Sequence, residues 1–338
     1  MDFSKSKLYG LSNKKYLAEL LNLDKAQLKD VSSEFVPYSF TSKVKKKERI
    51  LYNPNPEHKR VLKKIAKLIS QVQLPDYAFG GVKGRNYIGN ADVHKDNKFL
   101  LLIDISDFFP STRDSYIYDL FHNKFQMSQD IAKIFTDLVS VPIEKSKGRY
   151  LPQGYPTSSI ISLFAYIDMY EAIYKVAKSN NMKFSCYYDD LTLSSNKFIP
   201  KSMKKTISRI IEKYEFKVHP SKSKLVIKKF TKVTGVILDN GELKVPKQLF
   251  EKLHKAFEQL QGMDKDFGNY KAEDFVEVCN KVQGLIAAIK SIDENRSFEM
   301  YSNKLKYMRK KYDIPYRRIS ISSSFKSPEA RFIGTNKS

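Results

Sequence analysis

One uninterrupted apolar run that ends on a lone carboxylate, Phe99-Leu100-Leu101-Leu102-Ile103-Asp104-Ile105, constrains this chain more than any other segment. A short run of that kind is a strand buried among neighbours, and a carboxylate inside it is costly unless something cationic holds it. Further along, Lys183 to Tyr188 and Leu191 to Ser195 are apolar, strand-like stretches separated by Asp189-Asp190. That pattern is the grammar of a hairpin with a two-residue acidic turn. Acidic pairs in hairpin turns are common and usually inert; Asp104 carries the weight, because a turn is a natural home for a carboxylate and a buried strand is not.

If strand and hairpin join one antiparallel sheet, Asp104, Asp189 and Asp190 converge at its edge, and their repulsion demands divalent cations. Two Mg²⁺ ions about 3.5–4 Å apart would relieve it, activate an attacking hydroxyl and stabilise a leaving pyrophosphate. That is polymerase chemistry, although a two-metal nuclease uses the same ions and the acids alone do not separate the two. Charge supports a nucleic-acid partner: 60 Lys and Arg stand against 37 Asp and Glu, a formal net charge of +23. So large a field favours a polyanion, either nucleic acid or an anionic membrane surface. The membrane is the weaker choice, because the longest uncharged stretch, Tyr150 to Ile167, is broken by Pro152, Gly154 and Pro156, and Met1 to Lys5 does not read as a signal peptide. Cys186 and Cys279 are too few for a disulfide framework and sit in no metal-ligand spacing with the five His, so a reducing, cytoplasmic setting is expected.

The pattern predicts helices over Ser12–Asp30, His58–Gln71, Ser158–Ala177, Pro246–Gly262, Ala272–Lys290 and Ser297–Tyr312, with Ser111 and Ser128 as caps of two more. Between Lys201 and Lys255, 15 Lys or Arg face 5 Asp or Glu, interleaved with apolar residues: one face is core and the other solvated or bound to phosphate. The Gly81-Val82-Lys83-Gly84 loop lacks dinucleotide-fingerprint spacing. No repeat is visible, and the linkers are short, so one multi-lobed unit is expected.

Tyr187-Tyr188-Asp189-Asp190 resembles the YxDD box of reverse transcriptases. Asp104-Ile105-Ser106-Asp107-Phe108-Phe109-Pro110-Ser111 resembles their first catalytic motif, and Leu151-Pro152-Gln153-Gly154-Tyr155-Pro156-Thr157-Ser158 their PQGxPTS motif, all in family order. Asn90-Ala91-Asp92-Val93-His94 is similar to the NAxxH element, and Val233-Thr234-Gly235 to the VTG element, of bacterial retron reverse transcriptases. The chain departs from that pattern at Tyr188, where Ala is usual, at Ser159, where Pro commonly follows, and at Ser162-Leu163 in place of Ser-Asn.

The resemblance implies an α+β, right-hand polymerase fold: N-terminal helices and fingers over 1–98, a palm of antiparallel sheet with an inserted fingers segment carrying the PQGxPTS motif over 99–238, a helical thumb over 239–315, and a flexible basic, Ser-rich tail over 316–338. It implies that Asp104, Asp189 and Asp190 are catalytic and hold two Mg²⁺ ions, with the Ile105 carbonyl as a further ligand. Phe109 would be the steric gate beneath the incoming sugar, Gln153 and Gly154 would lie against the nucleotide, Arg49 with Lys46 or Lys47 would reach the triphosphate, and Lys222 would assist the leaving pyrophosphate. Asn90, His94, Val233, Thr234 and Gly235 would contact RNA, His94 in a structural or RNA-contacting part and no catalytic one; Lys304, Arg309 and Lys310 are suited to RNA by charge and position. Partners implied are a cognate noncoding RNA (msr-msd) and its msDNA product, dNTPs, a separate effector or toxin protein and host RNase H, in anti-phage defence, with synthesis primed from a guanosine 2′-hydroxyl. Another defence-associated reverse transcriptase, or a catalytically idle RNA-binding scaffold, is the alternative; an intron-type enzyme is disfavoured because too few residues follow the thumb.

Overall fold

Residues 38–44 and 47–53 pair as an antiparallel ribbon, β1 (Tyr38–Val44) with β2 (Lys47–Asn53), in the register Tyr38↔Asn53 to Val44↔Lys47. The computed structural model describes residues 1–44, 47–144, 148–227, 229–266 and 269–314, without the side chains of 43, 44 and 47. Lys46, the Lys47 side chain and the expected tail over 316–338 therefore lie outside the described residues.

The apolar run forms β3 (Phe99–Asp104), in which Leu100 and Leu101 are wholly buried. Two short strands, β4 (Val141–Pro142) and β5 (Arg149–Tyr150), make a separate ribbon. The hairpin strands are β6 (Lys183–Tyr187) and β7 (Asp190–Ser195), and β8 (Lys224–Ile227) completes a four-stranded sheet in the order β6-β7-β3-β8. β3 pairs antiparallel with β7 on one side and β8 on the other, so its backbone is satisfied along both edges and its carboxylate is delivered to the sheet's end. The helices Pro56–Ile69, Gln129–Val139 and Ile167–Ser179 share one hydrophobic core with β3, β6 and β7 through residues such as Ile65, Phe135, Ile173, Leu101, Phe184 and Leu193.

Contacts divide the chain into two units, residues 1–234 with 238–242, and residues 235–237 with 243 onward. The short strands β9 (Thr231–Val233), β10 (Val236–Asp239) and β11 (Glu242–Lys244) carry the chain from one to the other. The second unit holds helices Lys247–Lys265, Ala272–Lys290 and Glu299–Lys311 around Leu260, Phe275, Val282, Ile289 and Met308. Within it Asp264 accepts hydrogen bonds from Lys304 (2.7 Å), Lys311 (2.8 Å) and the Tyr312 hydroxyl (2.8 Å), which hold its carboxyl well below the usual range. No helix among the described residues is long and apolar enough to cross a membrane.

Four local expectations are corrected. The helix expected over Ser12–Asp30 is confined to Lys14–Leu21 and ends at Asn22, which adopts the left-handed conformation at φ 54°. The single helix over Ser158–Ala177 is two, Ser158–Ala165 and Ile167–Ser179, interrupted at Tyr166, whose buried ring packs at 4.5 Å from Phe216 and 4.8 Å from Tyr116. Packing of that aromatic cluster overrides helix periodicity. Ser111 ends the short helix Phe108–Ser111 instead of capping the next one. The hairpin turn is Tyr188-Asp189, because Tyr187 pairs with Asp190, which is the first residue of β7. A two-residue hairpin loop needs a left-handed residue, and Tyr188 supplies it at φ 57°. The Tyr170 hydroxyl donates to the Tyr188 carbonyl at 3.2 Å and helps to fix that conformation.

Candidate active site

Asp104 and Asp190 are Cα partners in the β3–β7 ladder, and the Ile105 amide donates to the Asp189 carbonyl at 3.0 Å. Asp104, Asp189 and Asp190 thus stand together at one end of the sheet, with Ile105 at the same edge. Burial, then the charges of Asp189 and Asp104, push the Asp190 carboxyl up to about 7. Asp189 is also raised, chiefly by burial and further by Asp104, while Lys222 and Arg49 pull it down. The Lys222 ammonium donates to both Asp104 oxygens at 3.0 Å. Two further ties hold the end of β3: the Asp104 amide donates to Ser223 Oγ at 3.0 Å, and the His219 amide donates to the Asp104 carbonyl at 2.8 Å. Sequence reading singled out neither Ser223 nor Tyr170; nothing in a lone hydroxyl on a distant segment announces such a role.

No three His, Cys, Asp or Glu side chains among the described residues form a ready-made metal cage. The donor set still fits a hard divalent cation: it is all oxygen, and burial followed by mutual repulsion raises its Asp189 and Asp190 carboxyls, which a bound positive charge would offset.

Phe109 is half-buried between the rings of Phe108 (5.5 Å) and Tyr188 (6.0 Å). Arg49 is exposed on β2, opposite Ser42. The Gln153 carbonyl accepts from the Tyr52 amide at 2.8 Å, and the Tyr52 and Tyr150 hydroxyls are 2.7 Å apart, which staples the base of the ribbon to the Pro152–Thr157 loop. Gly154, at φ 111°, permits the close approach of that loop to the Tyr52 backbone.

Several residues expected to contact RNA serve the fold instead. Asn90, His94 and Val233 are buried, and direct contact with a polyanion requires an exposed group. Asn90 Nδ2 donates to Thr234 Oγ1 at 3.2 Å, and Thr234 Oγ1 donates to the Tyr87 carbonyl at 2.9 Å, so the NAxxH and VTG segments are physically joined. The two ring nitrogens of His94 lie 2.6 Å from Ser194 Oγ and 2.8 Å from Ser185 Oγ, linking β7 and β6. Arg309 is 3% exposed and donates to Asn280 and Gln283, and Lys304 is engaged by Asp264; both are interior ties of the helical unit. Lys310 is exposed, and Thr234 and Gly235 are half-buried.

Burial, and secondarily the charge of Lys183, push the His94 pKa down to about 3 from 6.5. Between those values the unfolded chain binds more protons than the folded one, so stability is lost as pH falls through that window, by up to about 1.4 kcal/mol per pH unit. His94→Gln is expected to flatten the dependence: urea midpoints at pH 7 and pH 5 should lie closer together than in the parent. An unchanged acid slope in the variant would refute this reading of His94.

The sheet and its acidic end suit two-metal chemistry on nucleic acid, and a family comparison separates polymerase from nuclease. The model of the reverse transcriptase (RNA-dependent DNA polymerase) family matches residues 41–238, more than half of the chain, and the chain belongs to that family. Membership implies the right-hand polymerase fold, with which the mixture of helices and antiparallel sheets agrees. Among curated proteins the chain is 28% identical to the Retron Se72 reverse transcriptase of Salmonella heidelberg (strain 579083-10) over 216 residues, 61% of this chain and 55% of the relative. It is 28% identical to the Retron Ec83 reverse transcriptase of Escherichia coli over 152 residues, 44% of this chain and 49% of the relative. With the Retron Mx162 reverse transcriptase of Myxococcus xanthus the identity is 25% over 247 residues, 64% of this chain and 50% of the relative. The chain spans about half the length of these relatives. The expected kinship with bacterial retron reverse transcriptases is borne out.

Proposed function

We propose that this chain is the RNA-directed DNA polymerase of a bacterial retron, copying part of a cognate structured noncoding RNA (msr-msd) into msDNA from dNTPs. The observation that carries the reading is the pairing of Asp104 with Asp190 beside the Asp189 turn, within a chain of the reverse transcriptase family. Residues 1–98 serve as N-terminal helices and fingers, 99–238 as palm and 239–315 as thumb.

Asp104 and Asp189, with Asp190 and the Ile105 carbonyl, are the groups that would hold two Mg²⁺ ions. When bound, the ions would supply Lewis acidity at the attacking hydroxyl and at the leaving pyrophosphate. Phe109 bars a 2′-hydroxyl, since a flat apolar ring offers it neither space nor a hydrogen bond. Gln153 and Gly154 flank the nucleotide, Arg49 and Lys47 meet the triphosphate, and Lys222 assists the departing pyrophosphate. Thr234, Gly235, Lys310 and the basic 201–255 stretch contact the RNA or its duplex through phosphates and sugars. Priming from a guanosine 2′-hydroxyl, removal of template by host RNase H, a separate effector protein and a part in anti-phage defence belong to the same reading.

Sequencing the nucleic acid that copurifies from the native host tests it: a short branched RNA–DNA hybrid is expected. Purified protein should also extend a primer on RNA with Mg²⁺ and dNTPs. Bound RNA with no incorporation would sink the enzyme and leave a scaffold.

Lys222 and a divalent cation compete for Asp104. An ion pair with one exposed partner is worth about 0.2–1 kcal/mol, so Lys222→Gln is expected to tighten Mg²⁺ binding to the nucleic-acid-free protein by up to about fivefold. Calorimetric titration checks this; equal or weaker binding in the variant contradicts it.

A further inference from the structure

Tyr188 occupies a seat built for its ring. A segment far earlier in sequence, Tyr77–Gly81, runs along β6: the Phe79 amide donates to the Cys186 carbonyl at 2.9 Å and the Cys186 amide to the Tyr77 carbonyl at 2.8 Å. Arg85 fastens this segment further through the Ala78 carbonyl at 2.7 Å. The Gly80-Gly81 pair is thereby set against the catalytic turn. A Cβ on Gly80 would stand 2.7 Å from the Tyr188 nitrogen and 2.8 Å from its Cδ1, too close to exist. A Cβ on Gly81 would stand 2.6 Å from Ser159 Cβ and 3.2 Å from Tyr188 Cε1. Two glycines and Ser159 thus leave room for one aromatic ring, which packs edge-on against Tyr187 at 5.0 Å and faces Phe109 at 6.0 Å with an interplanar angle of 56°. Phe109's ring neighbours among the described residues are Tyr188 and Phe108. The two departures of this chain, Tyr188 and Ser159, thus both border Gly81.

We propose that Tyr188 is a positioning residue for sugar selection: seated on Gly80, Gly81 and Ser159, its ring holds Phe109 in the orientation from which it excludes a 2′-hydroxyl. This rests on the reading of Phe109 as the steric gate. Phe109 is only half-buried, so the backbone alone does not fix its ring. Tilted aromatic pairs are held by their quadrupoles as well as by buried area, an increment that corresponds to about three- to tenfold in an equilibrium.

The test measures kcat/KM for a dNTP and the matching rNTP on one primer–template, using the full chain. Phe109→Ala is expected to lower the dNTP preference strongly; if it does not, the gate reading fails, and this proposal falls with it. Tyr188→Ala is expected to lower the preference about three- to tenfold, and Tyr188→Phe to retain it, since the ring and not the hydroxyl faces Phe109. Tyr188→Leu keeps the seat filled should the alanine variant prove insoluble, and is expected to relax selection too. The double variant Tyr188→Ala with Phe109→Ala should discriminate no worse than Phe109→Ala alone. Full selectivity in Tyr188→Ala or Tyr188→Leu, or additive losses in the double variant, would overturn the route through Phe109.

Discussion

Asp189→Asn is expected to abolish DNA synthesis while leaving the chain folded and its RNA affinity largely intact. Asparagine matches aspartate in shape, so the Tyr188-Asp189 turn and the Ile105 amide bond to the residue 189 carbonyl persist. What disappears is one charge of a cluster in which burial and Asp104 both raise the Asp189 carboxyl. Relief of that repulsion favours the fold, so the thermal midpoint should stay level or rise by about 2–4 °C, the shift that about 1 kcal/mol produces in a unit of this size. Activity moves the other way. A bound divalent cation contributes several kcal/mol at the reacting oxygens, and if Asp189 holds one as proposed, losing its charge should cost on the order of 10³-fold in rate or more. Primer extension alongside a melting curve and an RNA-binding titration separates these effects. Full-length cDNA from the variant would refute the catalytic assignment.

The parts of this site that were legible in the sequence are those whose cause is local. Asp104 stood out because its six neighbours are apolar, and apolar, strand-like stretches around an acidic pair announced a hairpin. Helix Ala272–Lys290 was readable to the residue because an apolar stripe runs its length between Lys271 and Ser291. What local pattern could not convey was partnership. Charge alone suggested Lys304 and Arg309 as phosphate contacts, yet Asp264, Asn280 and Gln283, all distant in sequence, had already engaged them. His94 read as a structural or RNA-contacting residue; its partners are two serines on β6 and β7, a residue type too common in strands to attract notice. β1 escaped because its ribbon leaves Tyr38 and Phe40 exposed, so no buried face imprints an alternation on the sequence. The Gly80-Gly81 pair read as a mere loop because the ring it accommodates lies more than a hundred residues away.

Gly154→Ala should be among the most damaging small substitutions in the first unit. A Cβ there would stand 2.3 Å from the Tyr52 carbonyl oxygen and 3.3 Å from its carbon and nitrogen, all backbone atoms that cannot rotate away. The residue also sits at φ 111°, a conformation that costs an L-residue about 1–3 kcal/mol. Overpacking adds about 1–3 kcal/mol, so the variant is expected to melt on the order of 10 °C lower. The cheapest relief is to part the loop from β2, breaking the 2.8 Å bond from the Tyr52 amide to the Gln153 carbonyl. That frees the ribbon carrying Arg49, whose charge lowers the Asp189 carboxyl, so surviving activity should show a KM for dNTP raised about tenfold, equivalent to about 1.4 kcal/mol. Gly262→Ala is the control: nothing lies within 4 Å of its Cβ and the residue is helical, so it should be neutral or stabilise by up to about 1 kcal/mol. Parent-like melting and KM in Gly154→Ala would show that the ribbon's staple to the loop does not set the nucleotide site.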